Sequence, residues 1–322
     1  MKILVVGGCG YVGSVLVPVL VEKGYEVDVV DLLWFGNHLP EGIRVIKKDL
    51  YDLSVADLVG YEQIIFLAGL SNDPMADYSP RDNFIQNAAA PAFLGYLGKK
   101  AGVQRYIYAS SCSVYGFTSN EQYDEDAPTT SNYPYGIAKL QGEMAAMALA
   151  NKDYSVICLR KGTISGYSPR MRLDLCVNTM LRFGLEKNEI TIDNPNIWRP
   201  ILSVQDAAEA YVRAIEGTPT LSGIFNVASR NYQIGEVGKI VSKVIEEETG
   251  LDIRLKINHR HDLRNYRVRC DRITDQLGFR AKHDVRTIVC DLIQNRAAFS
   301  DFDNPKYYQI RVFKMLKGTQ TV

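Results

Sequence analysis

A chain of 322 residues, 46% hydrophobic and 23% charged with no biased tract, can bury a sizeable core and reads as one large domain with a smaller appended lobe, not as a disordered or fibrous protein. Lysine plus arginine and aspartate plus glutamate both number 37, so no global field recruits nucleic acid or an acidic membrane surface, and neither is expected as a partner. The six cysteines, at 9, 112, 158, 176, 270 and 290, form no CxxC pair and no metal-ligand spacing with the four histidines; no metal is expected, and reduced thiols of a cytoplasmic protein fit better.

The chain opens on a predicted strand, Ile3–Val6, with no apolar stretch ending at a small-residue cleavage site, so a signal peptide is not expected. Gly7-Gly8-Cys9-Gly10-Tyr11-Val12-Gly13 then leads into a predicted helix, Val12–Lys23. Glycines at 7, 10 and 13 let the backbone turn tightly, let a pyrophosphate approach amides at the helix N-terminus, and let the helix pack closely on a sheet. The apolar segment Val15–Val21 is far shorter than the ~20 residues of a membrane span. Asp31 ends the next run, Val27–Val30, near the ~20-residue spacing at which a carboxylate accepts from adenosine ribose hydroxyls. It would repel a 2′-phosphate, and no lysine or arginine lies between Asp31 and Pro40 to receive one, so NAD is expected in preference to NADP. After a third run, Ile43–Ile46, Asp49-Leu50 is a candidate for the adenine edge; an aspartate capping a helix fits the same position nearly as well.

Runs at Ile64–Leu67, Tyr106–Ala109 and Val156–Leu159 continue the series. Apart from Asp28 and Arg44 these runs are apolar at nearly every position, as strands buried on both faces of a parallel sheet are, and predicted helices at Asn83–Ala101 and Tyr135–Asn151 supply crossovers. The expected fold class is α/β, a doubly wound parallel sheet. At its carboxyl edge, Ser110-Ser111-Cys112-Ser113-Val114-Tyr115-Gly116 offers hydroxyls that can bond a reacting oxygen. Tyr135 and Lys139, four apart, share one helix face. A protonated lysine there stabilises a phenolate, lowering its pKa from about 10 toward working pH, and can also hold a nicotinamide ribose. After about residue 165 the rhythm changes, with predicted helices at Arg170–Gly184, Val204–Glu216 and Ile234–Glu248 and a short strand at Ile224–Val227. Residues 1–165 are therefore expected to form the dinucleotide-binding domain, with later segments returning to it, and 166–322 mainly a substrate-binding lobe. The stretch from Pro305 onward has no legible role.

Taken in order and spacing, several motifs resemble the extended short-chain dehydrogenases, in particular their NAD-dependent nucleotide-sugar epimerase/dehydratase group. They are the glycine turn, Phe66-Leu67-Ala68-Gly69-Leu70, Asn87, the serine cluster, Tyr135 with Lys139, Leu159-Arg160, Arg199-Pro200, Asp271 and Leu277-Gly278-Phe279, so the likeness runs from Met1 to about Phe279. The resemblance implies that Ser111, three residues before Val-Tyr-Gly, is the reacting hydroxyl, with Tyr135 as acid/base and Lys139 as its partner. It implies cofactor contacts at Gly7, Gly10, Tyr11, Val12, Leu67, Ala68, Gly69 and Ser110, beside those at Asp31, Asp49 and Leu50, and an Asn87 that positions the lysine side of the relay. On the nucleotide-sugar side it implies Ser111, Ser113 and Thr163 near the sugar, Arg199 on the diphosphate, and Arg264, within the stretch 262–267, as a second partner. Thr163 stands where the family often has asparagine. A homodimer is implied as well.

Dehydratases of this group resemble one another in an Asp-Glu pair just after the catalytic hydroxyl, and this chain has Cys112-Ser113 there. The expected function is therefore a nucleotide-sugar 4-epimerase working through a 4-keto intermediate. The alternative is a 4-dehydrogenase that releases NADH, with a 4,6-dehydratase behind it. A non-catalytic NAD-binding protein is disfavoured by the intact Ser111, Tyr135 and Lys139 set.

Overall fold

The structure, a computed structural model, describes residues 1–118, 121–259 and 264–318; Asp262-Leu263 of the expected diphosphate stretch and the last four residues of the expected lobe lie outside these. The apolar runs become strands, in chain order β1 (Lys2–Val6), β2 (Glu26–Asp31), β3 (Arg44–Lys47), β4 (Gln63–Phe66), β5 (Arg105–Ser111) and β6 (Ser155–Lys161). Between them lie α1 (Gly13–Glu22), α2 (Val55–Leu58), α3 (Asp73–Tyr78), α4 (Pro80–Phe84), α5 (Ala90–Lys100) and α6 (Pro134–Met147). The second half supplies β7 (Thr163–Ser165), α7 (Cys176–Lys187), β8 (Glu189–Asp193), β9 (Trp198–Ser203), α8 (Val204–Glu216), β10 (Gly223–Val227) and β11 (Arg230–Gln233). It ends with α9 (Ile234–Thr249), β12 (Arg254–Asn258), α10 (Asp271–Leu277), α11 (Val285–Gln294) and α12 (Gln309–Gly318).

Seven strands form one sheet in the order β10-β6-β5-β4-β1-β2-β3, parallel at every pairing. Strands covered on both faces need side chains that are apolar on both, which is why the runs lack alternation. One face packs Leu16, Val17, Ala207 and Tyr211 against Ile65, Ile107 and Leu159; the other packs Leu94 and Ala146 against Phe66, Tyr106 and Tyr108. The two polar interruptions pair with one another. Buried Asp28 accepts from the Tyr61 hydroxyl at 2.6 Å and meets Arg44 at 3.3 Å and Lys2 at 3.5 Å, so the carboxylate is not left unpaired in the sheet.

β10, from far along the chain, completes the edge of this sheet. The remaining strands make a three-stranded set, β11-β9-β7, and the pair β12-β8, with α7, α9 and α11 closing a separate core around Val177, Ile190, Val241 and Leu292.

The predicted helix at 170–184 differs from what forms, since α7 starts only at Cys176. Asn178, in its first turn, explains the boundary. Its Nδ2 donates to the Arg172 carbonyl at 2.8 Å and the Gly166 carbonyl at 3.2 Å, and its Oδ1 accepts from the Gly166 amide at 2.9 Å. One side chain thus satisfies the backbone of a non-helical 166–175 segment. The predicted helix at 83–101 also begins earlier, at Pro80, and carries a π turn over Ile85–Ala89. From Pro305 the chain turns back to the sheet. Helix α12 buries Phe313 in a small cluster with Leu70 and Met75, against Trp34 and Ile310. Among the described residues no helix is long and apolar enough to cross a membrane, and no group of histidine, cysteine, aspartate or glutamate could hold a metal ion.

Candidate active site

A cleft of about 400 Å³ runs along the carboxyl edge of the large sheet, where an open α/β sheet binds its ligands. At one end the turn after β1 approaches the chain leaving β4. Gly7 has φ +84° and a side chain there would lie 2.5 Å from the Ala68 amide nitrogen, so only glycine fits. The amides of Leu67 and Ala68 both donate to the Val6 carbonyl, at 2.8 and 3.0 Å, fixing that approach. A Cβ on Gly13 would lie 2.3 Å from the Gly8 carbonyl oxygen, which keeps the start of α1 tight against the turn.

Asp31, at the end of β2, accepts from the amides of Cys9 at 3.0 Å and Leu33 at 2.8 Å. These bonds hold the carboxylate on the cleft wall; burial raises its pKa, and the backbone donors together with Arg170 pull it back. Leu50 lines the cleft beside it. Asp49 instead caps the turn Leu50–Asp52, accepting from the Tyr51 amide at 3.0 Å, and its side chain is not part of the cleft wall. The capping alternative for this position is the one the geometry displays.

Gly10, Val12 and Gly69 also line the cleft. Tyr11 lines it too, but its hydroxyl donates to the Gly166 carbonyl at 2.6 Å and its carbonyl accepts from Ser168 at 2.8 Å. It therefore staples the glycine turn to the 166–175 segment. That segment carries two arginines missed in the sequence. All three nitrogens of the Arg170 guanidinium, and one terminal nitrogen of Arg172, are buried without a hydrogen-bond partner, although both side chains line the cleft. Arg170 lies 3.6 Å from the Phe35 ring centroid. Their alternation, Arg170, Arg172, Asp174, has the period of extended chain and was the signal available against a helix here.

At the other end stand Ser111, Tyr135 and Lys139. Ser111 is the last residue of β5, and Tyr135 and Lys139 lie on the first two turns of α6. The Lys139 ammonium donates to the Ala109 carbonyl at 3.0 Å and sits 5.8 Å from the Tyr135 ring centroid. The expected depression of the phenol by Lys139 is not what governs it. Burial pushes the Tyr135 hydroxyl above its ordinary value and Asp73 adds to this, while Ser111 and Arg172 oppose it. Burial, and then the charge of Lys161, push Lys139 well below its own. A dry site disfavours both charged forms.

Asn87, on the π turn, does not reach Lys139. Its Nδ2 donates to Leu70 and Asn83 at 2.7 and 2.8 Å, and its buried Oδ1 has no protein partner. The Ser110 hydroxyl lines the cleft yet is committed to Glu143 at 2.6 Å, and Glu143 in turn pairs with Arg160, which lies beside Ser110 on β6. Ser113 and Thr163 line the cleft as well. Arg199 lines it too, donating to the carbonyls of Trp198, at 2.9 Å, and Arg264. Arg264 also faces the cleft and pairs with Asp73 at 2.7 Å.

The residues present fit a dinucleotide. Unsatisfied guanidinium nitrogens lie along a cleft that holds the Asp31 carboxylate at one end and the phenol and lysine at the other, with a cradle at Gly7 that a Cβ would fill. Fold and site together define an NAD-dependent enzyme of the extended short-chain dehydrogenase/reductase type. The chain belongs to the NAD dependent epimerase/dehydratase family, whose model matches residues 3–228, and NAD is its cofactor.

It is similar to UDP-glucose 4-epimerase of Corynebacterium glutamicum, 27% identical over 323 residues that cover 94% of this chain and 97% of that one. Among solved structures it is similar to MoeE5 in complex with UDP-glucuronic acid and NAD, with a TM-score of 0.81 and 27% identity, covering 91% of this chain and 98% of the other. The fold is also that of UDP-glucose-4-epimerase from Stenotrophomonas maltophila, at a TM-score of 0.84 and 22% identity, over 93% and 99% of the two chains.

Proposed function

We propose that this protein is a nucleotide-sugar 4-epimerase that works through a 4-keto intermediate. The observation that carries the reading is what stands beside Ser111, Tyr135 and Lys139. The next residue, Cys112, is fully buried, donates its thiol to the Arg160 carbonyl at 3.0 Å and has its pKa pushed well up by burial. It offers no acid or base for eliminating water. Ser113 adds only a hydroxyl, 3.1 Å from that of Ser111.

In the proposed reaction Ser111 holds the C4 oxygen and Tyr135 takes the C4 hydroxyl proton, returning it when the keto sugar is reduced on its opposite face. Bound NAD supplies the hydride acceptor and then the donor. Arg199 and Arg264 hold the substrate diphosphate, a role suited to planar, permanently charged groups. Asp31, the glycine-turn amides, Arg170 and Lys139 hold the cofactor. Residues 1–165 with the returning β10 form the cofactor-binding unit, and most of 166–322 the substrate lobe. The similarity to UDP-sugar enzymes supports a UDP-sugar as the substrate.

The six free thiols suit a cytoplasmic setting. Half-exposed Tyr96 on α5 and Met144 on the adjoining α6 offer apolar surface for the proposed homodimer, which light scattering would weigh directly.

The test is a UDP-sugar deuterated at C4. The label should remain in the C4 epimer with no lasting absorbance at 340 nm. Accumulation of deuterated NADH would establish a dehydrogenase instead, and a 4-keto-6-deoxy product a dehydratase.

A further inference from the structure

Lys161 is, with Lys48 and Lys139, one of three lysines on the cleft wall, and the proposed reaction leaves it unused. It is the last residue of β6, in register with Ser111, the last of β5. It therefore comes to the carboxyl edge at the same level as the reacting hydroxyl, at the end of the cleft opposite Asp31. Its ammonium donates to the hydroxyl of Tyr211 at 2.9 Å, and that tyrosine, on α8, is fully buried. No carboxylate lies within 4 Å of it among the described residues, although ion pairs hold Lys2, Lys23, Lys48 and Lys317. A partly buried ammonium without a counter-charge is costly, and a neutral side chain of the same length would fill the space more cheaply.

We infer that Lys161 is a second cation at the nicotinamide end of the cleft, which, together with Lys139, makes bound NAD⁺ a stronger oxidant than the free cofactor. Reduction by a hydride, two electrons and one proton's nucleus, removes the positive charge of the nicotinamide ring. A fixed cation nearby therefore disfavours the oxidised form and favours the reduced one, in the same way that a like charge shifts a titration. Lys161 lies close enough to Lys139 for its charge to add to burial in depressing that lysine. Burial lowers the pKa of Lys161 itself to about 7, as a lysine without a counter-charge requires. The balance this sets is between sugar alcohol with NAD⁺ and keto sugar with NADH, whatever the sugar.

The experiment needs no sugar, so its outcome is separate from that of the epimerase reading. Holoenzyme at pH 6.5 is equilibrated with redox dyes of known potential, and bound NADH is read at 340 nm. Lys161→Met should lower the ratio of bound NADH to bound NAD⁺ at a given potential by roughly tenfold, which is ~30 mV for a two-electron couple. Lys161→Arg, which keeps the charge, should stay within about threefold of wild type. Lys161→Gln provides a second neutral side chain, one able to accept from Tyr211, and should behave as Met does. An unchanged ratio in the neutral variants would overturn the inference. So would an arginine variant that falls as far as methionine, because the effect would then be one of shape.

Discussion

At the residue scale the site gathers groups whose ordinary charge states are suppressed by burial, and that makes two outcomes measurable. Tyr135→Phe removes the exchangeable proton but keeps the ring, so turnover should fall by ~10²–10⁴ while the amount of NAD retained on purification stays near that of wild type. A variant with wild-type kcat would end the acid/base assignment. Lys161 bears on stability as well. Its folded pKa, about 7, lies below the unfolded value of about 10.4. The unfolded chain therefore binds more protons between those values, and stability rises with pH across that window. The cost is fully present below about pH 7 and gone above about pH 10. Lys161→Met removes it but leaves the Tyr211 hydroxyl without its donor, which returns ~1–3 kcal/mol. The cofactor-free variant should still unfold a few degrees above wild type at pH 7, and the gap should close toward pH 10; a lower melting temperature at pH 7 would contradict this.

At the scale of elements, the most informative one is the one least legible in the sequence. Helix α12 packs Phe313 against Trp34, with ring centroids 5.9 Å apart, and against Tyr78 at 6.1 Å. Ser71 donates to Gln309 at 2.7 Å, the Gln309 amide donates to Asp174 at 3.2 Å, and Lys317 pairs with Asp82 at 2.5 Å. Trp34, Leu70, Ser71, Asp174 and Gln309 are themselves cleft wall, so the helix roofs part of the cleft. Phe313→Ala, truncating a nearly buried ring in a small cluster, should cost the docked helix ~3 kcal/mol and raise the NAD dissociation rate roughly a hundredfold, followed by exchange with a fluorescent analogue. An unchanged rate would mean that the helix is not what retains the cofactor. The sequence could not announce this. A short amphipathic segment whose partners are Trp34 and Leu70 has no local mark, because the contacts join residues far apart in the chain. The strands β1 to β6 were legible for the opposite reason: burial on both faces writes itself as unbroken apolar runs. Tyr135 and Lys139 were legible as a pair four apart on one helix face, and Ser111 only through the resemblance to the family. Arg170 and Arg172 were not, because their meaning depends on a backbone that Asn178 holds out of helix.

For the whole molecule, the cleft has walls from both the large sheet and the second lobe, and their cores are separate. A ligand bound there opposes unfolding of both parts. NADH at a hundred times its dissociation constant should stabilise the protein by ~2.7 kcal/mol, raising the melting temperature by several degrees in one transition; if only part of a two-step melt moved, the lobe would be shown to unfold independently of the cofactor. The roof over that cleft has one more consequence, and it concerns time. A ribosome delivers the glycine turn and Asp31 first, β10 at residues 223–227 much later, and α12 last of all. The nascent chain can therefore present an open dinucleotide cleft to the surrounding pool well before the segment that covers it exists. A cofactor that arrives after synthesis meets a cleft whose wall already includes Gln309, at the start of that helix.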